Sequence, residues 1–133
     1  MKRRILIRIL LVAGIVVVSL IVIIMVFVVP KLEADLKKLD NLEFEQLNLS
    51  TLKDGIYEGS FEAGIVNASV RVEVSGHEVR SVEIVKHNHG RGKAAESITN
   101  SVVEKQSVQI DVVSGATYSS KVILKAIENA INR

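Results

Sequence analysis

From Ile9 to Val29 the chain runs for 21 residues without a charge, its apolar side chains interrupted only by Gly14 and Ser19. As a helix rising about 1.5 Å per residue, such a run spans roughly 30 Å, the thickness of a bilayer's hydrocarbon core. Lys2, Arg3, Arg4 and Arg8 precede it, and Pro30 and a mixed-charge segment follow. The excess of cations on the leading side predicts a cytoplasmic N-terminus and an extracytoplasmic remainder. A cleaved signal peptide would have a shorter apolar region ending in a small-x-small site. Here the run ends Phe27-Val28-Val29-Pro30, and no cysteine is present to carry a lipid. Residues 1–30 are therefore expected to be an uncleaved single-pass anchor in the cell membrane, in contact with the lipid bilayer.

The anchor also explains the overall charge. All acidic residues follow Pro30, where thirteen lysines and arginines face fifteen aspartates and glutamates. The exterior part is thus slightly acidic and offers no basic footprint for nucleic acid. The absence of cysteine excludes a disulfide framework, a cysteine-ligated zinc and an iron–sulfur cluster.

After the anchor, Leu32, Leu36, Leu39 and Leu42 recur at spacings of four, three and three, the stripe of one helix face. Residues 31–53 are read as a helical stalk that packs on its own domain or pairs with another protomer. Asp54-Gly55 marks a turn. From Val66 to Val74 every even position is apolar and every odd one polar, the signature of a strand with one wet face. Ser75-Gly76-His77-Glu78 turns the chain, and Val79 to Lys86 returns as the second arm of a hairpin. Gly55 to Phe61 is expected to add a third strand. Beyond Gly92 the period changes: Ala95, Ile98 and Val102 line a helix ending near Lys105. Val108 to Val112 reads as a short apolar strand. Val122, Ile123, Ala126, Ile127, Ala130 and Ile131 then define a second amphipathic helix. The order β-β-β-α-β-α predicts an α+β fold for residues 54–133, a small antiparallel sheet packed with two helices on one face.

Chemistry concentrates in Asp111-Val112-Val113-Ser114-Gly115-Ala116-Thr117-Tyr118-Ser119-Ser120. Gly115 permits a tight turn and close approach of a ligand. Thr117, Ser119 and Ser120 crowd hydroxyls at a helix start, where unpaired N–H groups and the positive end of the dipole favour an anion such as a phosphate. The same residues would also serve as an ordinary helix cap.

The pattern Asp-x-x-Ser-Gly-Ala-Thr-x-Ser-Ser resembles the signature of the FMN-binding domain family, found in subunits of ion-translocating redox pumps and in small extracellular flavoproteins. Asp54-Gly55-Ile56-Tyr57-Glu58-Gly59 is similar to the family's opening strand, and Gln106-Ser107 also fits. The resemblance implies that Thr117 accepts FMN through a phosphoester bond, installed by a flavin transferase that uses FAD and magnesium. It implies that Ser114, Gly115 and Ala116 form the turn holding the phosphate, with Asp111 in the transferase recognition sequence and Tyr118, Ser119 and Ser120 completing the motif. It also implies an electron carrier, fed by a membrane reductase or quinol oxidase, rather than a stand-alone enzyme.

His87-Asn88-His89-Gly90-Arg91-Gly92 is the second region of interest, a polar, glycine-rich loop after a strand. In larger family members a histidine at this place opens a loop against the isoalloxazine ring, so the resemblance assigns His87, Asn88 and Gly90 to the flavin. The Thr-Pro-Gly that often follows that histidine is missing here. His87 and His89 could share a metal, but with no cysteine and His77 in a distant turn, no metal is expected. No Gly-x-Ser-x-Gly elbow, Walker loop or HExxH occurs. The reading is a membrane-anchored flavoprotein that carries electrons to an external acceptor; the alternative is a tethered sensory or accessory module holding FMN reversibly or not at all.

Overall fold

The computed structural model describes residues 1–90 and 92–133 and divides into two compact units, Met1–Ala34 and Asp35–Arg133. The first unit is helical. Helix α1, Lys2–Ile23, has no buried residue, and its leucines, isoleucines and valines are exposed on every side. A helix apolar all round is suited to lipid rather than to water. Its continuation, Ile24–Val28, is wound as a π-turn before helix α2, Val29–Asp40. Pro30 lacks an N–H and crowds the carbonyl one turn back, so a widened turn just ahead of it is a physical response to the ring. The helical run Lys2–Asp40 is long and apolar enough to cross a membrane, as the sequence predicts.

The second unit is α+β. Strands β1 (Gly55–Ala63), β2 (Val66–Ser75) and β3 (Glu78–Asn88) form one antiparallel sheet in the order β1-β2-β3. In β2 the even residues from Val66 to Val74 are all buried, so the alternation legible in the sequence is the alternation of the fold. Helix α3, Ile98–Lys105, is preceded by a 3₁₀ turn, Gly92–Ser97, and helix α4 spans Thr117–Ile131. Helix α4 lies against β1 and β2, and α3 against β3. Their apolar residues Ile98, Val102, Val122, Ile123, Ala126 and Ile127 meet Val70, Val72, Val74 and Val79 in a single core.

Two β-bulges shape β3. Val79 pairs with Val74 and Ser81 with Glu73, so Arg80 is the extra residue; Ile84 pairs with Val70 and Lys86 with Ser69, so Val85 is the second. Strict alternation from Ile84 would send residues 86 and 88 inward. The bulge at Val85 resets the parity and turns His87 inward, opposite Ala68.

Two elements depart from expectation. The segment Val108–Val112 forms no strand among the described residues, so the order is β-β-β-α-α. Val108 is fully buried and Ile110 and Val113 pack on the core, but the backbone is served by side chains. The Gln109 N–H donates to Ser107 Oγ and the Val113 N–H to Ser120 Oγ, each at 3.0 Å. A short apolar run without a period is equally compatible with a buried loop, and side-chain acceptors settled the choice here.

The second departure is the segment before β1. Helix α2 ends at Asp40, and residues 41–53 run on as an irregular strap whose Leu47 is buried and whose Phe44, Leu49 and Leu52 pack on the core. One face of α4 holds it. Lys121 Nζ donates to the carbonyls of Leu39 (2.7 Å) and Asp40 (3.2 Å), so it caps the end of α2. Lys125 Nζ donates to the Glu43 carbonyl, the Glu128 carboxylate accepts from the Glu45 N–H, and Asn132 bonds both Asn48 and Gln46. At the far end Asp54 accepts from the Gly76 N–H (2.8 Å) and the Ser75 hydroxyl (2.9 Å) across the β2–β3 turn. These bonds hold its carboxyl below the ordinary carboxylate range. Their contribution is present above that range and is lost as pH falls through the folded value.

Candidate functional site

The motif occupies the passage from the buried loop into α4. Ser114 and Gly115 form an exposed turn closed by the Ala116 N–H donating to the Val113 carbonyl at 3.0 Å. Gly115 has φ +78°, in the left-handed region that side chains other than glycine's rarely adopt. Ala116, buried, is the N-cap of α4, and no side chain caps the helix. The serines and threonine are thus not used as a conventional cap. The first N–H groups of an α-helix have no partner within it, and no acidic residue sits in the first turn of α4 to neutralise the dipole. Thr117, the first helical residue, is exposed.

The neighbouring hydroxyls differ from one another. Ser120 is fully buried and its oxygen is engaged by the Val113 N–H. Ser119 is also buried, and its side chain lies where a Cβ on Gly92 would fall. Glycine at 92 is therefore what lets the loop after β3 close onto the first turn of α4. That loop is held from the other side by the Gly92 N–H donating to the His89 carbonyl at 2.7 Å.

The two regions singled out in the sequence therefore converge. An open cleft of about 180 Å³ is lined by Gly115, Ala116, Thr117, Tyr118 and Ser119 from the motif and by Val66, His89 and Gly92 from the other side. Closed small-molecule pockets are commonly about 300 Å³ or more, so this is a groove rather than a chamber. Val66, His89 and Gly92 are the lining residues that sequence reasoning did not assign. Periodicity gave Val66 only to the core, and His89 became visible only when the loop folded against α4. Of the remaining assigned residues, Asp111, Ser114, Asn88 and Gly90 are exposed and His87 is not in the lining. Arg91 lies outside the described residues.

His87 stands behind the cleft. Its side chain is 1% exposed, its Nδ1 is 3.2 Å from Glu96 Oε1, and its ring centroid is 4.7 Å from that of His89. Its Nε2 is buried with no hydrogen-bond partner among the described residues.

An uncapped helix end, an exposed hydroxyl upon it and a turn that leaves room beside Gly115 fit the phosphate end of a flavin nucleotide. Gly115→Val is expected to test that fit. Apart from its chain neighbours, a Cβ at Gly115 would meet no atom of the described residues within 4 Å, so the cost is conformational, about 1–3 kcal/mol for a branched residue forced to positive φ. Flavin retention, read as in-gel fluorescence, should fall by at least tenfold while circular dichroism keeps its folded shape.

Residues 63–132 match the family model described as FMN-binding domain, just over half of the chain. The chain is also 33% identical over 85 residues to an uncharacterized protein of Treponema pallidum (strain Nichols); the match covers 62% of this chain and 24% of that protein. The chain thus spans about a quarter of the length of that relative. With the motif, the cleft and the matched span in one place, this chain belongs to the FMN-binding domain family, and its cofactor is FMN.

Proposed function

We propose that this chain is a membrane-anchored, extracytoplasmic electron carrier whose FMN is esterified to Thr117. The observation that carries the reading is the position of Thr117: exposed, at the uncapped start of α4, and on the wall of an open cleft. A flavin transferase supplied with FAD and magnesium would find the hydroxyl accessible. When bound, FMN supplies reversible one- and two-electron redox chemistry.

The residues divide the remaining work. The turn at Ser114 and Gly115 and the first N–H groups of α4 hold the phosphate. Tyr118, 38% exposed, and His89 flank the groove in which the rest of the cofactor extends. His87, Asn88 and Gly90 shape the loop on that side. Because the groove is open, an edge of the cofactor stays reachable by a partner, which suits hand-over of electrons better than closed-site catalysis. The donor is a membrane reductase or quinol oxidase and the acceptor lies outside the membrane. Covalent attachment prevents loss of the cofactor to the surroundings.

One experiment tests placement and attachment together. The full chain is co-expressed with a flavin transferase, and protease is added to spheroplasts. A fluorescent band that survives denaturing electrophoresis should appear at the size of the chain and disappear on protease treatment before lysis. A band digested only after lysis would reverse the proposed orientation, and an absence of any band in untreated cells would defeat covalent attachment.

A further inference from the structure

We propose that His87, His89 and Glu96 form a binding site for a divalent transition-metal cation of the zinc class. One donor atom from each of the three residues lies within 4.8 Å of the donors of the other two. They come from three adjoining pieces of backbone: the end of β3, the loop beyond it and the 3₁₀ turn. The β-bulge at Val85 is what turns His87 inward to join them.

The protonation pattern suits a metal. The His89 Nδ1 is 3.1 Å from the Gly90 carbonyl, which can only accept, so Nδ1 carries the proton and Nε2 keeps its lone pair. His87 presents its Nδ1 to Glu96 Oε1 at 3.2 Å, a separation that two ligands of one tetrahedral cation can share. The cluster thus offers His87 Nδ1, His89 Nε2 and a Glu96 carboxylate oxygen to one metal.

Burial fixes one donor in place: the His87 side chain is 1% exposed. The Glu96 side chain, 38% exposed, has the freedom to bring a carboxylate oxygen to the metal. Two imidazoles and one carboxylate, with water completing the shell, form a recognised zinc donor set. The set is too nitrogen-rich to favour calcium or magnesium, which take oxygen ligands.

The site does not depend on the flavin, and its test avoids it. The full chain, expressed without a flavin transferase or a polyhistidine tag, is purified in detergent, stripped with EDTA and titrated with Zn²⁺ by calorimetry. Parallel titration with Co²⁺ is followed by visible absorption. One equivalent of each metal should bind, with the Co²⁺ complex showing the bands of a low-coordinate nitrogen–oxygen site. His89→Ala and Glu96→Gln, at side chains with solvent access, should each weaken Zn²⁺ at least tenfold and keep the wild-type circular dichroism. His77→Ala, in the β2–β3 turn, should bind as wild type. No binding by the stripped wild-type chain would overturn the proposal. So would unchanged affinity in both His89→Ala and Glu96→Gln, or an equal loss in His77→Ala.

Discussion

Thr117→Val should remove the covalent flavin completely. Valine has nearly the shape of threonine, and residue 117 is exposed at the first position of α4, where it makes no side-chain cap. The change in helix propensity is on the order of a few tenths of a kcal/mol, too little to disturb a domain whose core lies elsewhere. Only the nucleophilic oxygen is lost. With a flavin transferase present, the wild-type chain should therefore show a fluorescent band after denaturing electrophoresis, and a Thr117 peptide heavier by FMN less water. The valine variant should show neither, at an unchanged melting temperature. A fluorescent band that persists in Thr117→Val would move the attachment to another hydroxyl, with the exposed Ser114 the next to examine. Reversible binding in the variant, lost on denaturation, would separate the role of the cleft from that of the ester.

The parts of this molecule that could be read from sequence are those in which one physical signal dominates. The 21 uncharged residues from Ile9 to Val29, the alternation from Val66 to Val74 and the three–four spacing from Val122 to Ile131 each point to one secondary structure, helix, strand and helix, and each is realised. What sequence did not disclose depends on partners distant along the chain. The strap from Asn41 to Lys53 has no period of its own, because its backbone is held by Lys121, Lys125, Glu128 and Asn132 some eighty residues away. Lys121, Lys125 and Glu128 recur on one face of α4 and Asn132 follows at its C-cap, and a polar stripe beside an apolar one is a signal that could have been followed. The segment at Val108 looked like a strand since its side chains are buried, whereas its hydrogen bonds go to serines. The inward turn of His87 rests on a bulge, which inserts a residue without any mark in composition. In the same way the motif announced a turn and a helix start, but its meeting with His89 required the close packing of Gly92 on Ser119.

Gly59→Val should be the most damaging single substitution in the sheet. Gly59 lies in β1 opposite Val70 of β2 and faces α4. A Cβ built at Gly59 would collide with the Ala126 carbonyl oxygen and with the backbone of Ala130. These are main-chain atoms of a helix, so no rotamer change can relieve the overlap. Helix α4 would have to lift from the sheet, and Val122, Ala126, Ile127 and Ala130, all buried against it, would lose packing together. Overpacking in a core typically costs about 1–3 kcal/mol and more where the backbone must move. For a domain of this size each kcal/mol lowers the melting temperature by roughly 4–8 °C. Gly59→Val in the full chain should therefore melt at least about 10 °C below wild type, measured by circular dichroism in detergent. Gly59→Ala should fall between them. Because the N-terminus of the same helix presents Thr117 and the strap is fastened along its side, a displaced α4 should also flavinylate poorly and expose the strap to protease. A melting temperature within about 2 °C of wild type would mean that β1 and α4 are not packed backbone to backbone at this point.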